Sequence, residues 1–118
     1  MTLFDYMTPE QTEQYSYIYI PRSLMTKDLF VTLSVQAKVL YGFLLDRMNL
    51  ARKYNWIDEK KHVYVVYPVS EMQRDLNASR RKILDCLSEL ESFGLIEREK
   101  QGRGFPNHLY IKNFAGSV

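Results

Sequence analysis

Apolar residues recur at helical spacing in three stretches of the chain and alternate with polar residues in others. In the longest helical stretch Ala37, Leu40, Tyr41, Leu44 and Met48 follow Ser34, a good N-cap, and predict a helix over about residues 35–53. Val39, Phe43, Leu45 and Leu50 widen its stripe until most of the circumference is apolar. Such a helix is either central to the core or shared with a partner chain. A second helix is predicted over residues 69–76. Ser70 and Gln73 stand at capping-box spacing there, with Pro68 as an alternative first helical residue. Asn77-Ala78 reads as a tight turn, and Ser79 as the N-cap of a third helix that ends at Phe93 with Gly94 in the C′ position. On that helix Ile83, Leu87 and Leu90 form one face, widened by Leu84, Cys86 and Phe93.

Residues 95–100 and 109–113 alternate as two strands around the loop Gln101-Gly102-Arg103-Gly104-Phe105-Pro106-Asn107. Val63-Tyr64-Val65-Val66-Tyr67 reads as a compact strand stopped by Pro68. Residues 15–20, rich in tyrosine and isoleucine, predict a further strand ending at Pro21, with a short helix after it near residues 22–25. Residues 1–15 are expected to be a flexible arm, residues 16–114 one domain, and residues 115–118 a tail, cut off ahead of a C-terminal domain. The order predicts an α+β winged helix-turn-helix: helices packed on an antiparallel hairpin wing, with an extra N-terminal strand.

A chain of 118 residues with 46% hydrophobic residues can bury a single core unaided. Its lone Cys86 cannot form an internal disulfide, which favours a reducing, cytoplasmic setting. No apolar run approaches the length of a membrane span. A net charge of +2 does not by itself announce a nucleic-acid binder, so the placement of the cations must carry the argument.

Ser79-Arg80-Arg81-Lys82 opens the third helix. Three cations in a first turn oppose the helix macrodipole, and phosphates would relieve that conflict. A helix-turn-helix presents this end of its second helix to the major groove. Arginine can fork onto guanine, lysine suits a phosphate, and the Ser79 hydroxyl or the amides it caps could meet another phosphate. Gly102 and Gly104 permit a sharp turn with Arg103 at its tip, placed for a minor groove or a flanking phosphate. Lys100 and Gln101 adjoin that turn as further candidates, and Arg98 and Lys112 extend the basic edge. Glu89, Glu91, Glu97 and Glu99 share this half of the chain, and strand alternation is expected to point some of them away from the cations.

Enzymatic readings find little support. His62 and His108 lack metal-ligand spacing, Cys86 falls on a buried helix face, and Asp58-Glu59 and Glu89-Glu91 resemble solvated charge rather than an acid–base pair. Neither catalysis nor a cofactor is expected. Tyr15, Tyr17, Tyr19, Tyr64 and Tyr67 cluster on two predicted strands, where packing against a sheet is a commoner role than stacking on bases.

The chain resembles the N-terminal domain of the plasmid replication initiator protein A family of low-GC Gram-positive bacteria. The resemblance runs from Tyr19-Ile20-Pro21 to Asn113-Phe114. Its most particular stretch is Ala37-Lys38-Val39-Leu40-Tyr41-Gly42-Phe43-Leu44-Leu45-Asp46-Arg47-Met48, followed by Trp56-Ile57-Asp58-Glu59 and the loop from Gln101 to Asn107. Residues 89–98 match winged helices at large. The chain departs from the family pattern at Pro68, where a capping threonine is common, and at Phe105, where lysine is usual. The residues themselves point to a DNA-binding winged helix, and the resemblance implies that it binds double-stranded DNA at repeated origin sites as a homodimer, with replication machinery recruited through a further domain. A transcriptional repressor on the same fold and an assembly module that binds no DNA remain alternatives. The first would bind a promoter. The second would use the apolar surface around Phe43.

Overall fold

The computed structural model describes residues 3–117. Helix α1 (Arg22–Thr26) leads through a 3-10 turn (Asp28–Phe30) into the long helix α2 (Val35–Tyr54). Strand β1 (Val65–Val66), helices α3 (Val69–Leu76) and α4 (Arg80–Phe93), and strands β2 (Ile96–Glu99) and β3 (His108–Ile111) follow. The sheet is antiparallel in the order β1-β3-β2, with Val65 opposite Leu109 and Arg98 also opposite Leu109 across the central strand. Helices α3 and α4 form the helix-turn-helix, and the β2–β3 hairpin is the wing.

The caps explain the helix boundaries. Ser34 and Ser79 each accept a hydrogen bond from the backbone three residues on, at Ala37 and Lys82. Ser34 is itself held from α4: its backbone N–H and its hydroxyl both donate to the Glu89 carboxylate, at 2.8 and 2.7 Å. Asn77 closes α3 in the left-handed region (φ 50°), and Ser79 opens α4 two residues later. Gly94 ends α4 at φ 95°. Ser70 makes no capping bond. Pro68 is the N-cap of α3, and its carbonyl accepts from the Glu71 and Met72 amides.

The central stripe of α2 is used within the domain, while Val39, Phe43, Leu45 and Leu50, which widen it, are only half-buried. Leu40, Tyr41, Leu44 and Ala51 are buried, and α1, α4 and β1 all pack on this helix. Tyr41 donates from its hydroxyl to the Lys112 carbonyl at 2.9 Å, and burial pushes its pKa up to about 12. Phe30, Phe93 and Phe114 form an aromatic cluster with Tyr41, which draws the chain after β3 back onto the core. Arg47 fastens the far half of α2: its Nε donates to the Val66 carbonyl, its guanidinium pairs with Glu71 at 2.7 Å, and it lies over the Tyr67 ring.

Two expectations are corrected. Residues 15–20 are extended but join no strand among the described residues. The segment docks by side chain instead. Ile20 and the Tyr19 carbonyl lie against Gly42, where a Cβ would fall 2.8 Å from Ile20 and 3.3 Å from that carbonyl. Tyr15, Tyr17 and Tyr19 are therefore exposed, with successive rings 6.4 and 6.2 Å apart, rather than packed on a sheet. The strand expected over residues 63–67 shrinks to Val65–Val66 because its first part pairs elsewhere. Val63 bridges to Ile57, and the Tyr64 amide donates to the Trp56 carbonyl.

Candidate nucleic-acid interface

The first turn of α4 projects its cations in three directions, as successive helical residues must. Arg80 is exposed and borders a groove of about 370 Å³ that runs between the helix-turn-helix and the wing. Pro68 and Ser70 line its α3 side, and Phe105, Pro106 and Asn107 its wing side. Arg81 points outward with a side chain 85% exposed, and its one ion pair is a loose 3.5 Å approach to Asp85. Lys82 is half-buried and lines a separate cleft with Val39, Phe43 and Asp75. Ser79 is exposed, its hydroxyl already engaged by the Lys82 amide. The structure thus brings Arg80 to the wing, leaves Arg81 beside it, and turns Lys82 toward α2.

At the wing, Gly102 (φ 110°) and Gly104 (φ 84°) adopt backbone angles that side chains disfavour, and they hold Arg103 exposed between them. Lys100 is exposed at the end of β2. Arg80, Lys100 and Arg103 form no ion pair among the described residues. Gln101 lies on the other side of the hairpin. It donates to the carbonyl and side chain of Glu99, both at 3.3 Å, and faces an outer cleft of about 870 Å³ with His108 and Tyr64.

The basic edge is narrower than the sequence suggests, because two of its cations are neutralised. Arg98 forks onto Glu91 through Nε at 3.0 Å and Nη2 at 2.7 Å, and its amide donates to the same carboxylate at 3.0 Å. Those bonds hold the Glu91 pKa below the ordinary glutamate value. Lys112 pairs with Glu97 at 3.0 Å. On β2 the alternation sets exposed Glu97 and Glu99 on the opposite side from half-buried Arg98, as expected, and the partner of Arg98 comes instead from Glu91 on α4. Nor are Glu89 and Asp58 merely solvated. Glu89 caps Ser34, and Asp58 accepts from the amides of His62 and Lys60 and from the Tyr110 hydroxyl, which lower its pKa. Cys86 is buried and its thiol pKa is raised, first by desolvation, which makes it a poor nucleophile.

Phe105, read in the sequence only as a departure from the family's usual lysine, and Asn107, not singled out there, both line the groove. Only the positive-φ turn that carries them marks the loop, and it says nothing of the side on which they emerge.

Comparisons with known proteins agree with this architecture. A family model described as replication initiator protein A (RepA) N-terminus matches residues 16–117. A relative from Lactobacillus helveticus, called "41 kDa protein", is 27% identical over 97 residues. The match takes in 77% of this chain and 28% of the relative, so the chain corresponds to little more than a quarter of that protein. Solved structures titled "N-Terminal domain of DNA binding protein" and "Structure of Rep-DNA complex" each superpose with a TM-score of 0.75 at 29% identity. They cover 93% and 92% of this chain, and 84% of each of those chains is matched. "Structure of MDR initiator" gives a TM-score of 0.73 at 30% identity, over 92% of this chain and 86% of that one. The family model spans the helix-turn-helix, the wing and the docked Ile20 segment together, and on that match the chain belongs to the replication initiator protein A N-terminal family.

Proposed function

We propose that this domain binds double-stranded DNA sequence-specifically at repeated origin sites, as the DNA-reading module of a plasmid-type replication initiator. One observation carries the reading. Arg80 and Arg81 stand exposed at a helix start that disfavours positive charge, Arg81 with one loose pair to Asp85, and Arg80 borders the groove shared with a wing whose Arg103 forms no ion pair among the described residues. A polyanion supplies the charge that the fold withholds. The solved neighbour titled as a Rep–DNA complex supports the same partner. In this reading Ser79, Arg80 and Arg81 enter the major groove, Lys100 and Arg103 anchor the flank, and no catalysis is involved. Lys82 and Gln101, which face other clefts, reach DNA at most through their backbone or a neighbouring phosphate. A homodimer, and recruitment of replication machinery through a further domain, complete the proposal on the strength of family membership.

Selection of bound sequences from random duplex DNA tests it. Tandem repeats are the expected outcome. A lone palindrome would favour a repressor, and absence of any enrichment would overturn DNA binding. Sedimentation of the protein with and without a two-site duplex tests the dimer.

A further inference from the structure

Most exposed large apolar side chains of this domain lie in two groups. One is the N-terminal segment with Phe4, Tyr6 and the three alternating tyrosines, and the other is the surface of Leu29, Val31 and Val35. Phe105 belongs to neither. It is 71% exposed in the wing loop, and it borders the same groove as Arg80. Its backbone is fixed on both sides: Gly104 precedes it at positive φ, Pro106 follows it, and its amide closes a turn on the Gly102 carbonyl at 3.3 Å.

An aromatic ring held out on a closed turn has few physical uses. It contributes little to the core at that exposure. Its own turn is Gly102, Arg103, Gly104, Pro106 and Asn107, and the groove beside it joins apolar Val69, Met72 and Leu109, of which Met72 and Leu109 are buried, to Arg80 at its border. Cations and a small-residue turn around one ring suit a surface that is anionic outside and apolar within. A DNA duplex has that character, with phosphates outside and base faces inside.

We propose that Phe105 is a wedge that enters the minor groove beside the recognition site and parts one base step. Arg103 and Lys100 hold the flanking backbone, which offsets the cost of unstacking. Pyrimidine–purine steps part most easily. Phe105 therefore makes the protein prefer such a step at a fixed offset from the bases read by α4, although a phenyl ring forms no hydrogen bond. The inference rests on the DNA-binding reading above and adds to it a second source of sequence preference.

The test uses a duplex carrying the selected site, with 2-aminopurine placed in turn at each flanking step and fluorophores at the two ends. Wild-type protein should raise 2-aminopurine fluorescence at one step and shorten the end-to-end distance. Phe105→Ala should bind about tenfold more weakly, the scale of one lost base–aromatic contact, with neither signal. Phe105→Lys should keep the affinity with a steeper salt dependence and still give neither signal. Replacing the pyrimidine–purine step by an A-tract should weaken wild type and leave Phe105→Ala unaffected. Circular dichroism shows that both variants are folded before they are compared. Wild type that binds without a fluorescence change, or Phe105→Ala that retains the change, overturns the wedge alone. Wild type that binds no duplex overturns the DNA-binding reading and the wedge with it.

Discussion

At its N-terminal end α4 carries Arg80, Arg81 and Lys82 with one loose ion pair among the described residues. Near its C-terminal end Glu89 accepts two hydrogen bonds from Ser34, and Glu91 three from Arg98. Both ends bear charge of the sign that the helix macrodipole disfavours. At the acidic end the fold supplies the compensation and gains a joint from it: Glu89 ties α4 to α2, and Glu91 ties α4 to the wing. At the basic end it supplies almost none. The two ends share one physical problem, and only the basic end leaves the solution to a partner from outside.

The contrast predicts different losses at the two ends. The largest concerns Arg80→Ala and Arg81→Ala. Whichever arginine reads a base should cost roughly 1–3 kcal/mol of DNA affinity and relax specificity at that base. The thermal midpoint should hold or rise, since removing a cation relieves the dipole conflict. Anisotropy titrations beside thermal melts measure both, and a midpoint that fell with affinity would break the contrast. Next, Glu91→Gln should cost about 1 kcal/mol of folding stability in a denaturant titration, a charged hydrogen-bond value discounted for partial exposure. Its DNA affinity should stay unchanged as long as the protein is folded.

Acid sharpens the same comparison. Because Arg98 lowers the folded pKa of Glu91, that carboxylate contributes its full stabilisation above the ordinary glutamate value of 4.5 and loses it as the pH falls through the lower folded value. Melts on either side of that window should show a shallower acid limb in Glu91→Gln than in wild type. An equal limb would mean that the Arg98 pair adds nothing. The smallest expected effect is that of Arg103→Ala, which should weaken all duplexes alike and reduce the slope of log affinity against log salt by about one unit.

Local rules made the helices legible. Ser34, Ser79 and Gly94 act within one turn of themselves, so their capping roles follow from neighbouring residues alone. The cationic start of α4 was legible for the same reason. What escaped was pairing at a distance. Glu91 and Arg98 are seven residues apart and Ser34 and Glu89 fifty-five, and nothing in the apolar periodicity of α4 indicates that its two acids are partners rather than bystanders. Residues 15–20 have strand composition, yet a strand needs an edge to pair with, and this segment meets the side of a helix instead. Gln101 was grouped with Arg103 by proximity in sequence, whereas its hydrogen bonds to Glu99 turn it to the far side of the hairpin.

The close approach of Ile20 to Gly42 fixes the origin of a tether. With Ile20 lodged against the middle of α2, the residues from Leu3 to Tyr19 leave from one known point. Seventeen residues of extended chain reach at most about 60 Å. That radius is comparable to the 54 Å longest dimension of the protein itself, and it bounds what residues 3–19 can touch while the lodgement holds. Gly42→Ala would crowd that lodgement and free the origin, so the variant separates what the segment does by its chemistry from what it does by its length.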